Sequence, residues 1–160
     1  MSLDLKEGMT APEFRLPAST GGELSLGELR GSPVVLYFYP KDDTPGCTRE
    51  ACAFRDLSGE LEALGAKVLG VSPDGLPSHQ RFIDKYELNF PLLADSSGAA
   101  ISAYGAWKSG SEGKSINRST FLIDAEGKIR HIWRSVKVDG HQDDVLAELK
   151  RLVGGSSRQV

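Results

Sequence analysis

Pro33-Val34-Val35-Leu36-Tyr37-Phe38-Tyr39, followed at once by Pro40-Lys41-Asp42-Asp43-Thr44-Pro45-Gly46-Cys47, is the stretch on which the fold turns. The first seven residues are β-branched or aromatic and apolar on both faces, which predicts a buried central strand. Pro40 closes it, and residues 41–46 read as a turn. Thr44 suits an N-cap and Pro45 the first helical position. A helix is therefore expected over 45–64, with Ala53, Leu57, Leu61 and Leu64 on its inner face and a kink at Ser58-Gly59. Cys47 then falls in the first helical turn, just past the carboxyl end of the central strand. Open α/β sheets place their sites there.

Working outward, residues 13–26 read as a hairpin around Thr20-Gly21-Gly22, and Ser25 as the cap of a short turn ending at Gly31. Strands are expected at 67–72 and 90–93. A helix at 78–86 carries Phe82 and Tyr86 inward, and a short helix covers 99–104. Residues 105–117 read as an exposed loop. Ala125-Glu126-Gly127 joins a hairpin over 119–124 and 128–134. A closing helix over 143–153 and a mobile tail over 154–160 complete a single α/β domain spanning 1–160, with helices flanking a central mixed sheet.

With 39% hydrophobic and 26% charged residues, the 160-residue chain has the composition of an ordinary globular protein. A net charge of −3 argues against nucleic acid as a partner. No apolar run approaches the length of a membrane span, and the first residues lack the apolar core of a secretory signal, so a cytoplasmic protein is expected. Cys47 and Cys52 are the only cysteines. In a reducing compartment such a close pair points to redox chemistry or a metal more than to a structural disulfide. Two sulfurs do not close a zinc site, and His79, His131 and His141 show no ligand spacing, so no metal is expected. Gly113-Lys114-Ser115 resembles the end of a phosphate-binding loop, but Lys108 stands where the pattern needs glycine.

A cysteine in a first helical turn lies near unpaired backbone N–H groups and the positive end of the helix dipole, which favours the nucleophilic thiolate. Three residues after a threonine cap, a capping box would place Glu or Gln; here Cys47 holds that place. The Thr44 hydroxyl could accept from the backbone and donate to sulfur or substrate at once. The competing reading is that Cys47 is a small buried hydrophobe behind an ordinary helix start.

These residues carry a resemblance. Pro40, Thr44 and Cys47 match a Pro-x-x-x-Thr-x-x-Cys motif, and with Ala11-Pro12-Glu13-Phe14, Phe90-Pro91-Leu92-Leu93-Ala94-Asp95, Tyr104-Gly105 and Arg118-Ser119-Thr120-Phe121-Leu122-Ile123-Asp124 the chain resembles the peroxiredoxins. Within them it is most similar to the bacterioferritin comigratory protein subfamily of atypical two-cysteine enzymes. The resemblance implies a thioredoxin-like fold and reduction of hydrogen peroxide or alkyl hydroperoxides. It also implies a dithiol such as thioredoxin as reductant, no cofactor, and a monomer. By the same resemblance Cys47 is the attacking thiol, Thr44 orients the peroxide, Pro40 shields the pocket, Arg118 is the active-site arginine and Cys52 resolves the product.

The chemistry is coherent with that assignment. When a thiolate attacks one peroxide oxygen the other leaves with negative charge, and fixed donors lower the barrier. The amides of Gly46 and Cys47, the Thr44 hydroxyl and the Arg118 guanidinium are candidates. Arg49, two positions from Cys47, points to another helix face, while Glu50, at three positions, shares the face of Cys47 and requires a basic partner. Trp107, Trp133 and Tyr104 are candidates for the pocket mouth or for core. Two other functions remain in view: a general dithiol–disulfide oxidoreductase, usually built on Cys-x-x-Cys, and a non-enzymatic redox-sensing module.

Overall fold

The computed structural model describes residues 5–108 and 115–157, the last three as backbone alone. A small antiparallel hairpin, β1 (Arg15–Pro17) and β2 (Glu23–Ser25), leads into a 3-10 turn at Leu26–Leu29. Next come β3 (Val34–Phe38), α1 (Pro45–Asp56), α2 (Ser58–Ala63), β4 (Lys67–Ser72) and α3 (Leu76–Tyr86). After these follow β5 (Leu92–Ala94), α4 (Ala99–Ala103), the hairpin β6 (Ser119–Ile123) and β7 (Ile129–Trp133), and α5 (His141–Ser157).

The five larger strands lie in the order β5-β4-β3-β6-β7, so β3 is central, parallel to β4 and antiparallel to β6. All five residues of β3 are buried, as expected of a strand covered on both faces. Strand alternation sends Val34, Leu36 and Phe38 into one apolar layer with the N-terminal hairpin and α4, and Val35 and Tyr37 into another with α1, α3 and α5. The result is the thioredoxin-like arrangement of helices about a mixed sheet.

Two registers place the site. In the β3–β6 ladder Phe38 faces Ser119, so Arg118, one residue before Ser119, lies at the end of β3 from which the chain departs toward Cys47. That departure is a tight one: Asp43 adopts φ 57°, a left-handed conformation that aspartate tolerates better than most residues.

Several boundaries differ from the sequence reading. The helix expected over 45–64 is two helices, broken at Leu57 (φ −92°, ψ 3°) just before Ser58-Gly59. Its buried face is Cys47, Glu50, Ala51 and Phe54 rather than the row through Ala53, because a charged residue on the inner face defeats an apolar count. The strand expected at 90–93 begins two residues later, where pairing with Gly70 starts. The closing helix starts at His141 and runs through Gly154 to Ser157, where a mobile tail was expected. Helix propagation adds one hydrogen bond per residue, and a glycine costing about 1 kcal/mol does not end it. Gly113 and Lys114 of the phosphate-loop resemblance lie outside the described residues. No helix among the described residues is long and apolar enough to cross a membrane.

Candidate active site

Thr44 is the N-cap of α1 by backbone (φ −100°, ψ 155°), Pro45 fills the first helical position, and the first helical bond runs from Thr48 N to Thr44 O. Cys47 therefore sits in the first turn, where the amides of Gly46 and Cys47 precede that bond. The Thr44 side chain does not cap the helix. Its hydroxyl donates to the Lys41 carbonyl at 2.9 Å. The expectation that it accepts from the helix backbone while donating to sulfur or substrate is corrected accordingly, since a hydroxyl has one proton and here Lys41 takes it. What it can still offer is its lone pairs.

Cys47 is 1% exposed. Arg118 reaches it across the sheet, with Nη2 donating to Cys47 Sγ at 3.4 Å and Nη1 donating to Glu50 Oε1 at 2.6 Å. One guanidinium thus faces two groups that can each be negative, both on the inner face of α1. A Cβ added to Gly46 would come within 3.2 Å of Arg118 Nη2, so glycine keeps the approach open. Arg49 instead pairs with Asp139 at the surface, 3.6 Å away. Glu50 has its basic partner, but only on one side: its Oε2 is buried without a hydrogen bond. Burial therefore outweighs the attraction of Arg118 and pushes the carboxyl up to about 7.

Pro40 stands exposed at the exit of β3, and Cys52 is half-buried on α1. Both cysteines are free thiols. Tyr104 is core, packed on Phe38 and Phe121. Trp133 packs edge-on against His141, and Trp107 is bonded to Ser102. His141, which the sequence reading weighed only as a metal ligand, lies behind the site: Thr120 Oγ1 and its Nε2 are 2.8 Å apart. Burial pushes it down to about 4, so it is neutral at pH 7. Asp42-Asp43, read as a mere turn, is bound to α3 on both residues. Two surface cavities, of about 690 and about 320 Å³, are lined by other parts of the fold and do not include Cys47. Among the described residues no cluster of three or more metal-ligating side chains occurs.

A sulfur held under a fixed cation is equipped to attack an electrophile whose departing atom gathers negative charge, and the O–O bond of a hydroperoxide is such an electrophile. On this fold, at this end of the central strand, that chemistry defines a thiol-dependent peroxidase. Comparison with known proteins narrows the class. Residues 8–132 match the model of the AhpC/TSA family. The chain is 43% identical over 152 residues to peroxiredoxin Bcp of Bacillus subtilis, covering 92% of this chain and 97% of that one. It is 44% identical over 150 residues to peroxiredoxin Bcp of Escherichia coli K12, covering 91% and 96%. The solved bacterioferritin comigratory protein of Xanthomonas campestris, described for its alkyl peroxide reduction activity, superposes with a TM-score of 0.83 at 43% identity over 88% of this chain and 92% of that one. The chain belongs to the AhpC/TSA family and is a peroxiredoxin.

Glu50 makes a testable contribution to stability. Folded, it keeps its proton up to about pH 7; unfolded, it releases it near the ordinary value of 4.5. The folded state binds more protons across that window, so this contribution to stability falls as pH rises from about 4.5 to about 7 and is level above. Urea unfolding at pH 5 and pH 8 should show a smaller pH difference in Glu50→Gln than in wild type. An unchanged difference would mean that Glu50 titrates normally.

Proposed function

We propose that Cys47 reduces hydrogen peroxide and alkyl hydroperoxides and that Cys52 resolves the product. The observation that carries this reading is the Arg118 Nη2 contact with Cys47 Sγ at 3.4 Å. The Cys47 thiolate attacks the nearer peroxide oxygen, the O–O bond breaks, and the far oxygen leaves as water or alcohol once protonated. Arg118 stabilises the anion before the step and the charge on the leaving oxygen during it. With its own proton held by Lys41, Thr44 accepts the O–H of the hydroperoxide and orients it. Pro40, exposed beside the loop, limits access of water to the sulfur.

Cys47 is then a sulfenic acid. Attack by the Cys52 thiol forms an intramolecular disulfide and releases water. A dithiol of the thioredoxin type returns both cysteines to thiols by exchange. The reading is of a monomer acting in the cytoplasm, with no bound cofactor. A general dithiol–disulfide oxidoreductase is less well supported, because the attacking sulfur is closed to a protein disulfide while α1 is intact.

Arg118→Ala should slow the reaction of Cys47 with hydrogen peroxide by about 10²–10³ in stopped-flow measurements. A rate within a small factor of wild type would remove Arg118 from the chemistry.

Peroxide consumption coupled to thioredoxin and its reductase tests the two thiols. Cys47→Ser should be inactive. Cys52→Ser should react once at the normal rate, then accumulate sulfinic acid seen as added oxygen mass. Undiminished turnover in Cys52→Ser would assign resolution to another thiol.

Helix α1 carries both cysteines, five positions apart. In a regular helix that spacing separates the Cα atoms by roughly 8.7 Å, on sides about 140° apart, whereas a disulfide tolerates about 7 Å at most. Forming the bond must open the helix. Its first turn lacks a side-chain cap and contains Gly46, so opening there costs least. Amide hydrogen exchange should lose protection over residues 45–53 on oxidation. Full protection of that segment with the disulfide formed would refute the opening.

A further inference from the structure

The chain between β3 and α1 is held by a buried polar cluster that the reaction does not use. His79, in the first turns of α3, is 0% exposed, and the Asp42 side chain is 3% exposed. His79 Nδ1 lies 2.7 Å from Asp42 Oδ2, and its Nε2 lies 2.9 Å from the Leu93 carbonyl in β5. A carbonyl only accepts, so Nε2 carries hydrogen, and the 2.7 Å contact requires a further proton between ring and carboxyl. Asp42 Oδ1 accepts from the Tyr39 hydroxyl at 2.6 Å, and Oδ2 from Ser78 at 2.7 Å. The Asp42 amide donates to Asp74 Oδ2 at 2.7 Å. Burial alone would raise the Asp42 carboxyl, but the bonds from His79, Tyr39 and Ser78 outweigh it and hold it below its ordinary range. Farther along α3, Lys85 and Tyr86 bind the two oxygens of Asp43 at 2.9 and 2.8 Å.

Asp42 is two residues from Pro40 and two from Thr44. We propose that Asp42 and His79 are positioning residues of the peroxide pocket: their buried pair fastens the 40–44 loop to α3 and β5, so that Thr44 and Pro40 stay fixed while α1 opens and Cys47 moves away and returns. The proposal rests on the peroxidase function given above. Asp42 bonds to His79 and Ser78 of α3 and to Asp74 in the turn after β4, and His79 bonds on to β5. The Thr48 N–Thr44 O bond ties the loop to α1, but opening α1 breaks none of the Asp42 bonds.

Three variants and one measurement on the wild type test it. Asp42→Ala and His79→Leu break the pair and should slow the reaction of Cys47 with peroxide on the order of ten- to a hundredfold, as misplacement of an orienting group does. Asp42→Asn keeps the shape: its amide can donate to both Ser78 Oγ and a neutral His79 Nδ1 while its oxygen accepts from Tyr39. It should react within about threefold of wild type, because every buried group keeps a partner. Breaking variants that melt lower yet react at the wild-type rate when folded would reduce the pair to a structural clamp and overturn the proposal. In wild type, the Asp42 amide should stay protected from hydrogen exchange in both the reduced and the peroxide-oxidised protein. Its loss of protection together with α1 would overturn the proposal even if the variants fail to fold. A wild-type protein inert to peroxide would defeat the function itself and this inference with it, whereas exchange at Asp42 in an active enzyme defeats only the inference.

Discussion

One guanidinium, Arg118, is shared between two buried groups that can each carry negative charge, Cys47 and Glu50. Two anions and one cation in a buried site leave net negative charge, which is costly. The site relieves it by letting the carboxyl hold a proton more readily than usual, with Glu50 Oε2 left unbonded. Protonated, Glu50 leaves the charge of Arg118 to the sulfur. The face of α1 that buries Cys47 and Glu50 therefore depends on an arginine from another part of the chain, and without it the same helix would bury uncompensated charge.

Sheet topology delivers that arginine. The antiparallel β3–β6 ladder sets Ser119 opposite Phe38, so Arg118 and the exit toward Cys47 emerge at the same edge although Arg118 and Cys47 are 71 positions apart. Around them the environment is kept uncharged or paired: His141 is neutral beside Thr120, and Arg49 is drawn away to Asp139. Gly46 completes the arrangement by leaving room where a side chain would press on the guanidinium.

Two neighbouring segments have opposite mechanical character. Helix α1 begins without a side-chain cap and carries glycine in its first turn, features that lower the cost of opening. The loop just before it is bonded through Asp42 and Asp43 to α3 and to Asp74 in the turn after β4, and His79 of α3 is bonded in turn to β5. Rigid attachment on one side of Thr44 and easy opening on the other suit the proposed cycle, in which the site is precise toward peroxide and α1 then opens.

Much of this was legible in the chain itself. The apolar run at 33–39 defined the central strand, and Thr44-Pro45 marked the helix start and placed Cys47 in the first turn, because each is a pattern within a few residues, whereas Arg118 was nominated by the family resemblance alone. The need of Glu50 for a cation also followed from helical spacing. The break at Leu57 and the reversal of Thr44 toward Lys41 did not follow, since backbone geometry decided them and residue type did not. Nor did spacing reveal that Asp42 meets His79, 37 residues on, or that Arg118 bridges Cys47 and Glu50. Local sequence determines which residues can cap, turn or pack within one element. Which distant charges meet is decided by strand order and register, and only the assembled sheet sets those.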